Sequence, residues 1–407
     1  MKKKVRIGLV GAGFVSHIHI NAFRQVIGIP VEVAGIYTRS RGEEFAQKYG
    51  IPRVYESYQQ MLEDPDIDMV DICVPNIVHR EVCIQAAEAG KHIICEKPLT
   101  GAFGENITNQ EAGDFSRLDL YKEAMKNADA ILAAAQRNKV KVCYAEDFIY
   151  APVVVKTKRL LKQSGGSILE IRSEESHSGS HAAYSRHWNL AGGGSLLRLG
   201  SHPLGLAIHL KHFEGKLKYG KPMNIKSVIA DVATLTHTQA FKNSGKAWMV
   251  DKWDDVEDWA TVVLTFEDGT KALINSNDTT LGGIVNTLDV YTTNSVIKCD
   301  MAANDAIKAY APANEIFGDE YISEKIETKA GWTFPSPDED WMRGYPQEMQ
   351  DFVEAVYFGR EPISDGELGR QVVQATYAAY LSAEQGKRID LAELDADIDR
   401  NKEEESR

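Results

Sequence analysis

The chain has 407 residues, of which 43% are hydrophobic and 26% charged, and its formal net charge is −13. This length exceeds one ordinary hydrophobic core and favours two domains. The acidic balance argues against nucleic acid or an anionic membrane as the main partner.

No apolar run approaches the roughly 18 residues of a membrane span, and no targeting segment is visible. The five cysteines are odd in number and show no CxxC spacing, which indicates reduced core residues rather than a disulfide framework. We therefore expect a cytoplasmic protein.

Residues 1–150 alternate short apolar runs with segments of helical periodicity, which predicts an α/β domain with a parallel sheet. The predicted strands are Val5–Val10, Val31–Tyr37, Asp68–Val74, His92–Cys95 and Val140–Ala145. The predicted helices are Phe14–Gln25, Arg80–Gly90 and Tyr121–Arg137.

Residues 151–394 change to longer alternating strands with an Asp268-Gly269 hairpin signal, which predicts an α+β domain built on a large, mostly antiparallel open sheet. Its strands are predicted at Ser167–Ser173, Ile225–Leu235, Trp259–Phe266, Lys271–Asn277 and Thr287–Thr292. Helices at Ser201–Lys211, Pro346–Phe358 and Glu367–Gln385 would cover one face and leave the other for a homodimer or homotetramer contact. Residues 395–407 are charge-rich and are expected to form a frayed tail.

Residues 11–16 (Gly-Ala-Gly-Phe-Val-Ser) lie between the first predicted strand and its helix, the context of a dinucleotide fingerprint in a Rossmann domain. Gly11 would allow the tight turn, and Gly13 would let the backbone approach a pyrophosphate at the helix N-terminus. Ser16 stands where the third glycine usually is. The predicted cofactor contacts of this loop are Gly11, Gly13, Phe14, Val15 and Ser16.

The second predicted strand is followed by Thr38-Arg39-Ser40-Arg41 and lacks the acidic residue that would bind an adenosine ribose. Arg39 or Arg41, with the hydroxyls of Thr38 and Ser40, could instead hold a 2′-phosphate. The sequence therefore favours NADP over NAD as the cofactor.

Lys97, in Glu96-Lys97-Pro98, follows the fourth predicted strand. Ligands of open α/β sheets bind at the carboxyl ends of the strands, so Lys97 is a candidate for proton transfer with a substrate hydroxyl or carbonyl. The alternative is an ordinary surface lysine.

Three segments, residues 11–16, 71–79 and 89–98, together resemble the glucose-fructose oxidoreductase and inositol dehydrogenase family, often written Gfo/Idh/MocA. The resemblance implies that Lys97 lies beside the nicotinamide and the substrate, and that Asn76 contacts the cofactor. The cofactor contacts that these segments would supply are Pro75, Asn76, His79, Glu96 and Lys97.

The family's second-domain motif runs from a glycine triplet to an aspartate and then, four residues on, to a histidine that acts in proton transfer. Here Gly192–Gly194 and His202 match, but Arg198 replaces the aspartate, and Gly205 stands where a second aspartate often occurs. The resemblance implies that Lys97 and His202 are the catalytic residues. A guanidinium near His202 would lower its pKa and leave more of the proton chemistry to Lys97.

Six of the eleven histidines lie between residues 177 and 212. Carboxylates, imidazoles and aromatic rings are the groups that recognise sugar hydroxyls and ring faces. The predicted substrate contacts are Glu174, His177, His181, Trp188 and Arg198. Glu174 or Glu175 with His177 and His181 could alternatively bind a metal, but their spacing matches no defined signature, so no metal is predicted.

These features predict an NAD(P)-dependent oxidoreductase that transfers hydride between the nicotinamide and a hydroxyl or ketone of a sugar, glycoside or cyclic polyol. A glycosidase or lyase that oxidises its substrate transiently with NAD is one alternative, and a non-catalytic dinucleotide-binding sensor is another. Residues 99–118, long for the family, are expected to form a lid or an inert loop.

Overall fold

The computed structural model describes residues 4–104, 115–302 and 307–405, with side chains described as far as residue 400. The predicted lid at 99–118 therefore lies partly outside the described residues. The described residues form two parts, each built around one large sheet.

The first part contains a parallel sheet, which within the described residues has five strands in the order β2-β1-β3-β4-β5. Its strands are β1 Val5–Val10, β2 Val31–Tyr37, β3 Met69–Ile72, β4 His92–Glu96 and β5 Val142–Ala145. Its helices are α1 Phe14–Phe23, α2 Gly42–Tyr49, α3 Tyr58–Glu63, α4 His79–Glu88 and α5 Arg117–Asn138. Strands β1, β3, β4 and β5 are mostly apolar and buried because helices cover both faces, whereas the edge strand β2 is half-buried. This arrangement confirms the predicted Rossmann domain.

The second part contains a sheet that has, among the described residues, the strand order β11-β10-β6-β9-β8-β7-β14. Its strands are β6 Ile168–Ser176, β7 Ile225–Ala233, β8 Trp259–Phe266, β9 Lys271–Asn277, β10 Val285–Thr292, β11 Val296–Asp300 and β14 Ile389–Asp390. The sheet is mostly antiparallel as predicted, except that β6 and β9 pair in parallel. A separate ribbon pairs β12 Ala309–Ala311 with β13 Gly331–Thr333.

Helices of the second part cover one face of this sheet, with α9 against β6 and α13 against β7. The helices are α6 Pro152–Ser164, α7 Trp188–Ala191, α8 Ser195–Arg198, α9 Ser201–Tyr219, α10 Gln239–Lys242, α11 Glu339–Arg343, α12 Tyr345–Phe358, α13 Gly366–Gln385 and α14 Leu391–Glu405. The open face carries charged pairs such as Lys298 with Asp289, 3.1 Å apart.

The two parts are joined by the chain near Tyr150 and also by backbone pairing and helix packing between them. The carbonyl of Ser364 accepts a hydrogen bond from the backbone N–H of Tyr144 at 3.0 Å, and Asp365 forms an antiparallel β-bridge with Cys143. Residues 364 and 365 therefore extend the first sheet beyond β5. Helix α12 also packs against α1. The predicted domain limits at 150 and 394 stay predictions.

Residues 395–405 of the predicted frayed tail lie in helix α14, whereas residues 406 and 407 lie outside the described part of the chain. Asp395 accepts hydrogen bonds from Tyr121 at 2.7 Å and Gln374 at 3.0 Å, and Ile398 is buried. The buried Leu391 and Ile398 and the half-buried carboxylate of Asp395 thus hold a charge-rich helix in place. Among the described helices, none is long and apolar enough to cross a membrane.

Candidate active site

A cleft of about 1270 Å³ lies at the carboxyl ends of β1 to β4, with residues of the second part closing its other side. Its lining runs from the glycine-rich loop at residues 10–15 to Lys97, His177 and His202. The fold thus brings together the residues predicted for nucleotide binding and those predicted for proton transfer.

The glycine-rich loop leaves an open cradle at the start of α1. Gly11 has φ +108°, and a Cβ there would lie 2.2 Å from the carbonyl oxygen of Cys73. A Cβ on Gly13 would meet no atom within 4 Å, so its backbone borders open cleft. Phe14 and Val15 also line the cleft, whereas Ser16 is buried away from it. Bare backbone at a helix N-terminus fits a dinucleotide pyrophosphate.

The loop after β2 forms another edge of the cleft through residues 37–41. Thr38 donates to the Ser40 carbonyl at 3.1 Å, and Arg41 pairs with Glu44 at 3.1 Å. Arg39 is exposed and, in the part of the chain that the structure describes, has no ion-pair partner. Arg39 is therefore the cation of this loop that is most available to a ligand.

Lys97 extends from the end of β4, and its Nζ donates to the backbone carbonyl of Arg198 at 2.7 Å. Its backbone N–H donates to Glu96 Oε2 at 3.1 Å, and Glu96 Oε1 lies 2.9 Å from Nε2 of His19. His19 in turn contacts Asp71 at 3.0 Å. Burial alone would lower the pKa of His19, but the charge of Asp71 overrides it and raises this pKa well above its ordinary value.

Asn76 and His79, both predicted to contact the cofactor, differ in position. Asn76 lines the cleft beside Pro75 and donates to the Ala191 carbonyl at 2.8 Å. His79 is buried behind the cleft, with its ring nitrogens 2.9 Å from the carbonyls of Pro98 and Val74. His79 therefore ties two strand-end loops together, and the predicted direct cofactor contact is corrected.

The glycine triplet at residues 192–194 is held by a buried glutamate. Glu257 accepts hydrogen bonds from the backbone of Gly194 at 3.1 Å and Leu196 at 2.9 Å. A Cβ on Gly194 would lie 1.9 Å from the Glu257 carbonyl oxygen, so glycine is required for this approach. The contact fixes α8, which leads into α9 and His202.

Arg198 does not act on His202 in the way we predicted. Its guanidinium forms a bidentate pair with the buried carboxylate of Asp278 and lies 5.2 Å from the ring centre of Trp253. Its positive charge is thereby balanced inside the second part. Burial, then Lys97 and Arg343, lower the pKa of His202 well below its ordinary value.

His202 lies among three carboxylates. Its Nδ1 is 2.7 Å from Glu146 Oε1 and 3.5 Å from Asp147 Oδ1, and its Nε2 is 3.7 Å from Glu175 Oε2. Phe148 stacks on the imidazole with ring centres 4.3 Å apart. Burial raises the pKa of Asp147 to about 8 and that of Glu175 to about 7. The surroundings of His202 can therefore store protons near neutral pH.

The predicted substrate residues are only partly at the cleft. His177 and His181 line it, with His177 Nδ1 accepting from the Gly179 backbone at 2.9 Å. Glu174 points to the opposite face of β6, and its neighbour Glu175 lines the cleft instead. Trp188 is 1% exposed, and its indole donates to the Ala102 carbonyl at 3.0 Å, so it is a core residue.

Two groups of described side chains have metal-ligand types within reach of one another, His19 with Asp71 and Cys73, and Glu146 with Asp147 and His202. Neither group contains His177 or His181. The alternative metal site around those two histidines is therefore not assembled by the described residues.

Two family models match the chain. The model described as an oxidoreductase family with an NAD-binding Rossmann fold matches residues 5–112, and its C-terminal alpha/beta domain matches residues 158–391. The chain belongs to the Gfo/Idh/MocA oxidoreductase family. The resemblance inferred from three sequence segments is confirmed.

Relatives within this family include a myo-inositol 2-dehydrogenase of Thermotoga maritima, 23% identical over 96% of this chain and 99% of the relative. A levoglucosan dehydrogenase of Pseudarthrobacter phenanthrenivorans is 28% identical over 51% of each chain. Among solved structures, GenD2 from gentamicin A biosynthesis in complex with NAD has a TM-score of 0.77 at 24% identity, covering 96% of this chain and 97% of its own. The Gfo/Idh/MocA fold is thus shared over nearly the whole chain.

Sequence reasoning missed several groups of this Gfo/Idh/MocA site. Glu146 and Asp147 directly follow β5, so the rule that singled out Lys97 after β4 could have found them. Glu175 was named only as an alternative metal ligand; it alternates with Glu174 along β6, and one residue of register decides which of them faces the cleft. Arg343 and Tyr345, which also line the cleft, carry no local signal in the sequence.

Proposed function

We propose that the protein is an NAD(P)-dependent dehydrogenase that transfers hydride between a sugar, glycoside or cyclic polyol and the nicotinamide. The observation that carries the proposal is a single cleft that joins the glycine cradle at Gly11 and Gly13 to Lys97 and His202. The names of the relatives, which include an inositol and a levoglucosan dehydrogenase, support this substrate class.

The residues at the inner end of the cleft suit alcohol oxidation. A bound nicotinamide supplies the acceptor for the hydride of the substrate carbon. Lys97, held by the Arg198 carbonyl, would hydrogen-bond the substrate oxygen, and His202 would accept the proton that this oxygen loses. Glu175, His177 and His181 would hold the neighbouring hydroxyls.

For the cofactor we propose that NADP is preferred. The loop after β2 offers Arg39 without an ion-pair partner among the described residues, and Thr38 and Ser40 lie beside it. Replacing Arg39 with alanine should weaken NADP binding about 10-fold, because one charge-assisted contact is lost, and leave NAD binding nearly unchanged. Arg41→Ala, which removes a guanidinium already paired with Glu44, is the matched control; tighter binding of NAD than NADP by the unaltered protein would contradict the preference.

The proposed activity is tested with NAD and NADP and a panel of inositols, free hexoses, levoglucosan and glycosides. An increase in the ultraviolet absorbance of reduced nicotinamide when a hydroxylated substrate is added would support the proposed dehydrogenase activity. Release of an aglycone without accumulation of reduced cofactor would identify the glycosidase or lyase instead. Cofactor binding without any turnover would identify the sensor.

A further inference from the structure

We propose that Glu146 is the positioning residue of His202, and that the two side chains accept the substrate proton as one pair. This inference rests on the proposed dehydrogenase function and assigns its proton acceptor. It also accounts for the two departures from the family pattern, Arg198 and Gly205.

The pair is defined by a direct, buried contact. Glu146 Oε1 lies 2.7 Å from His202 Nδ1, and both side chains are at most 5% exposed. The other carboxylate oxygen of Glu146 has no hydrogen-bond partner among the described residues. The hydrogen-bonding capacity of this buried carboxylate is thus directed at the imidazole, as expected for a group that fixes a tautomer.

Gly205 provides the room for Glu146. It lies one turn after His202 within α9, where glycine is less favourable than alanine. A Cβ at this position would lie 3.1 Å from Cγ, 3.2 Å from Cδ and 3.3 Å from Oε2 of Glu146. The space that a larger residue would take on α9 is occupied by a carboxylate from the end of β5.

The proton step follows from this geometry. When the substrate is oxidised, its C–H bond breaks as hydride leaves to the nicotinamide, its O–H bond breaks, and the carbonyl forms. The resting pair holds one proton between Nδ1 and Oε1, which leaves Nε2 as the acceptor on the side of Glu175. After the step the pair holds two protons, and the carboxylate stabilises the imidazolium.

Other charges determine where the pair titrates. The charged and titratable groups that face Glu146 and His202 are Glu96, Lys97, Tyr144, Asp147, Glu175, Arg343 and Glu348. Burial raises the pKa of Glu146 and lowers that of His202, and because Oε1 and Nδ1 lie 2.7 Å apart the two groups gain and lose protons as one unit.

The experiment compares unaltered protein with Glu146→Gln, Glu146→Asp, Asp147→Asn and Gly205→Ala in pH profiles of turnover. It also identifies the protonated imidazole nitrogen of His202 by nitrogen-15 magnetic resonance, with His202→Gln used for assignment. We expect Glu146→Gln to lower turnover about 10²–10⁴-fold and to move the acidic limb of the profile down by about one pH unit or more. The Michaelis constant for the cofactor should stay unchanged.

The companion variants separate positioning from folding and from general charge. Glu146→Asp should restore part of the turnover, and Gly205→Ala should shift the profile because its methyl group presses on the carboxylate. Asp147→Asn removes an adjacent buried carboxyl group that makes no direct hydrogen bond to His202, and it should shift the profile less. On a His202→Gln background, Glu146→Gln should cause little further loss.

The outcomes that overturn the inference are distinct from failure of the proposed function. An active protein whose pH profile and His202 tautomer are the same in Glu146→Gln would exclude the pair, as would an equal effect of Asp147→Asn. If the unaltered protein oxidises no substrate, the proposed function fails. The protonated nitrogen of His202 in the unaltered and Glu146→Gln proteins then decides the assignment without activity.

Discussion

At the scale of single residues, Lys97 is the group that sequence and structure connect most directly to chemistry. Its position after β4 follows from a strand pattern and a three-residue motif, both readable without a structure. Its anchor, the carbonyl of Arg198, is 101 residues away in the chain and could not be predicted. Local motifs predict which residue ends a strand, whereas the partner across a cleft depends on how two domains pack.

Replacing Lys97 with alanine should reduce turnover about 10²–10⁴-fold, because the group that hydrogen-bonds the substrate oxygen is lost. Cofactor affinity should change little, since the glycine cradle is untouched. Steady-state kinetics and cofactor titration measure the two effects separately. Lys162→Ala, an exposed lysine of α6, is the control, and unchanged turnover in Lys97→Ala would contradict the mechanism.

Glu175 makes a residue-scale prediction about pH and stability. Burial raises its pKa from 4.5 to about 7, so between these values the folded state keeps a proton that the unfolded state has lost. The free energy of unfolding therefore falls as pH rises through this window, by at most about 3 kcal/mol, and the loss is complete above it.

Glu175→Gln should remove this contribution. The free energy of unfolding of the variant, relative to that of the unaltered protein, should therefore be higher at pH 8 than at pH 5. Denaturant unfolding at both pH values measures the difference. Glu174→Gln, on the opposite face of β6, controls for the loss of one acidic side chain. An equal pH dependence in Glu175→Gln and the unaltered protein would show that Glu175 holds no proton in the folded state.

The carboxylate partner of His202 could not be predicted from the sequence. The replacement of the family aspartate by Arg198 suggested a weakened His202, yet the guanidinium is paired with Asp278 and a carboxylate comes from Glu146. Both partners are distant in the chain. Compensation of this kind leaves no trace in local spacing, because it depends on β5 and α9 meeting in three dimensions.

At the scale of elements, the turn at Gly11 and the open backbone at Gly13 follow from the sequence because these glycines serve backbone geometry, whereas the burial of Ser16 away from the cleft does not. Gly11→Ala should cost about 3 kcal/mol or more of unfolding free energy, since φ is +108° and the new methyl would meet the Cys73 carbonyl. Gly13→Ala should stay within about 0.5 kcal/mol but weaken cofactor binding about 10-fold by filling the cradle.

Thermal unfolding and cofactor titration of the two variants distinguish these roles. The pair serves as its own control, because both substitutions add one methyl group to the same loop. Equal loss of stability in both variants, or normal cofactor affinity in Gly13→Ala, would contradict the assignment of Gly13 to the pyrophosphate.

Elements with strong periodicity, such as β8, β9 and α13, were predicted close to their observed bounds, whereas β11, β14 and α14 were missed. Strand β14 has only two residues and pairs with β7, so its identity depends on that neighbour. Helix α14 is polar and depends on Asp395 contacting Tyr121 and Gln374. Tertiary contacts, rather than local propensity, decide such segments.

At the scale of the whole molecule, the cleft exists only because the second part closes over the carboxyl edge of the first sheet. The pairing of Cys143 with Asp365 and the packing of α12 on α1 join the two parts. This explains why the catalytic candidates Lys97 and His202, from different parts, share one cavity. The open face of the second sheet stays our predicted contact for a homodimer or homotetramer.

The central claim is hydride transfer from a substrate carbon to the nicotinamide, and isotopic labelling tests it most directly. A substrate that turns over in the panel is prepared with deuterium on the carbon that bears the reacting hydroxyl, and the reduced cofactor is analysed by mass spectrometry. We predict that the reduced nicotinamide carries the deuterium and that Lys97→Ala forms far less of it. Reduced cofactor without deuterium, or product formed without any reduced cofactor, would contradict the account.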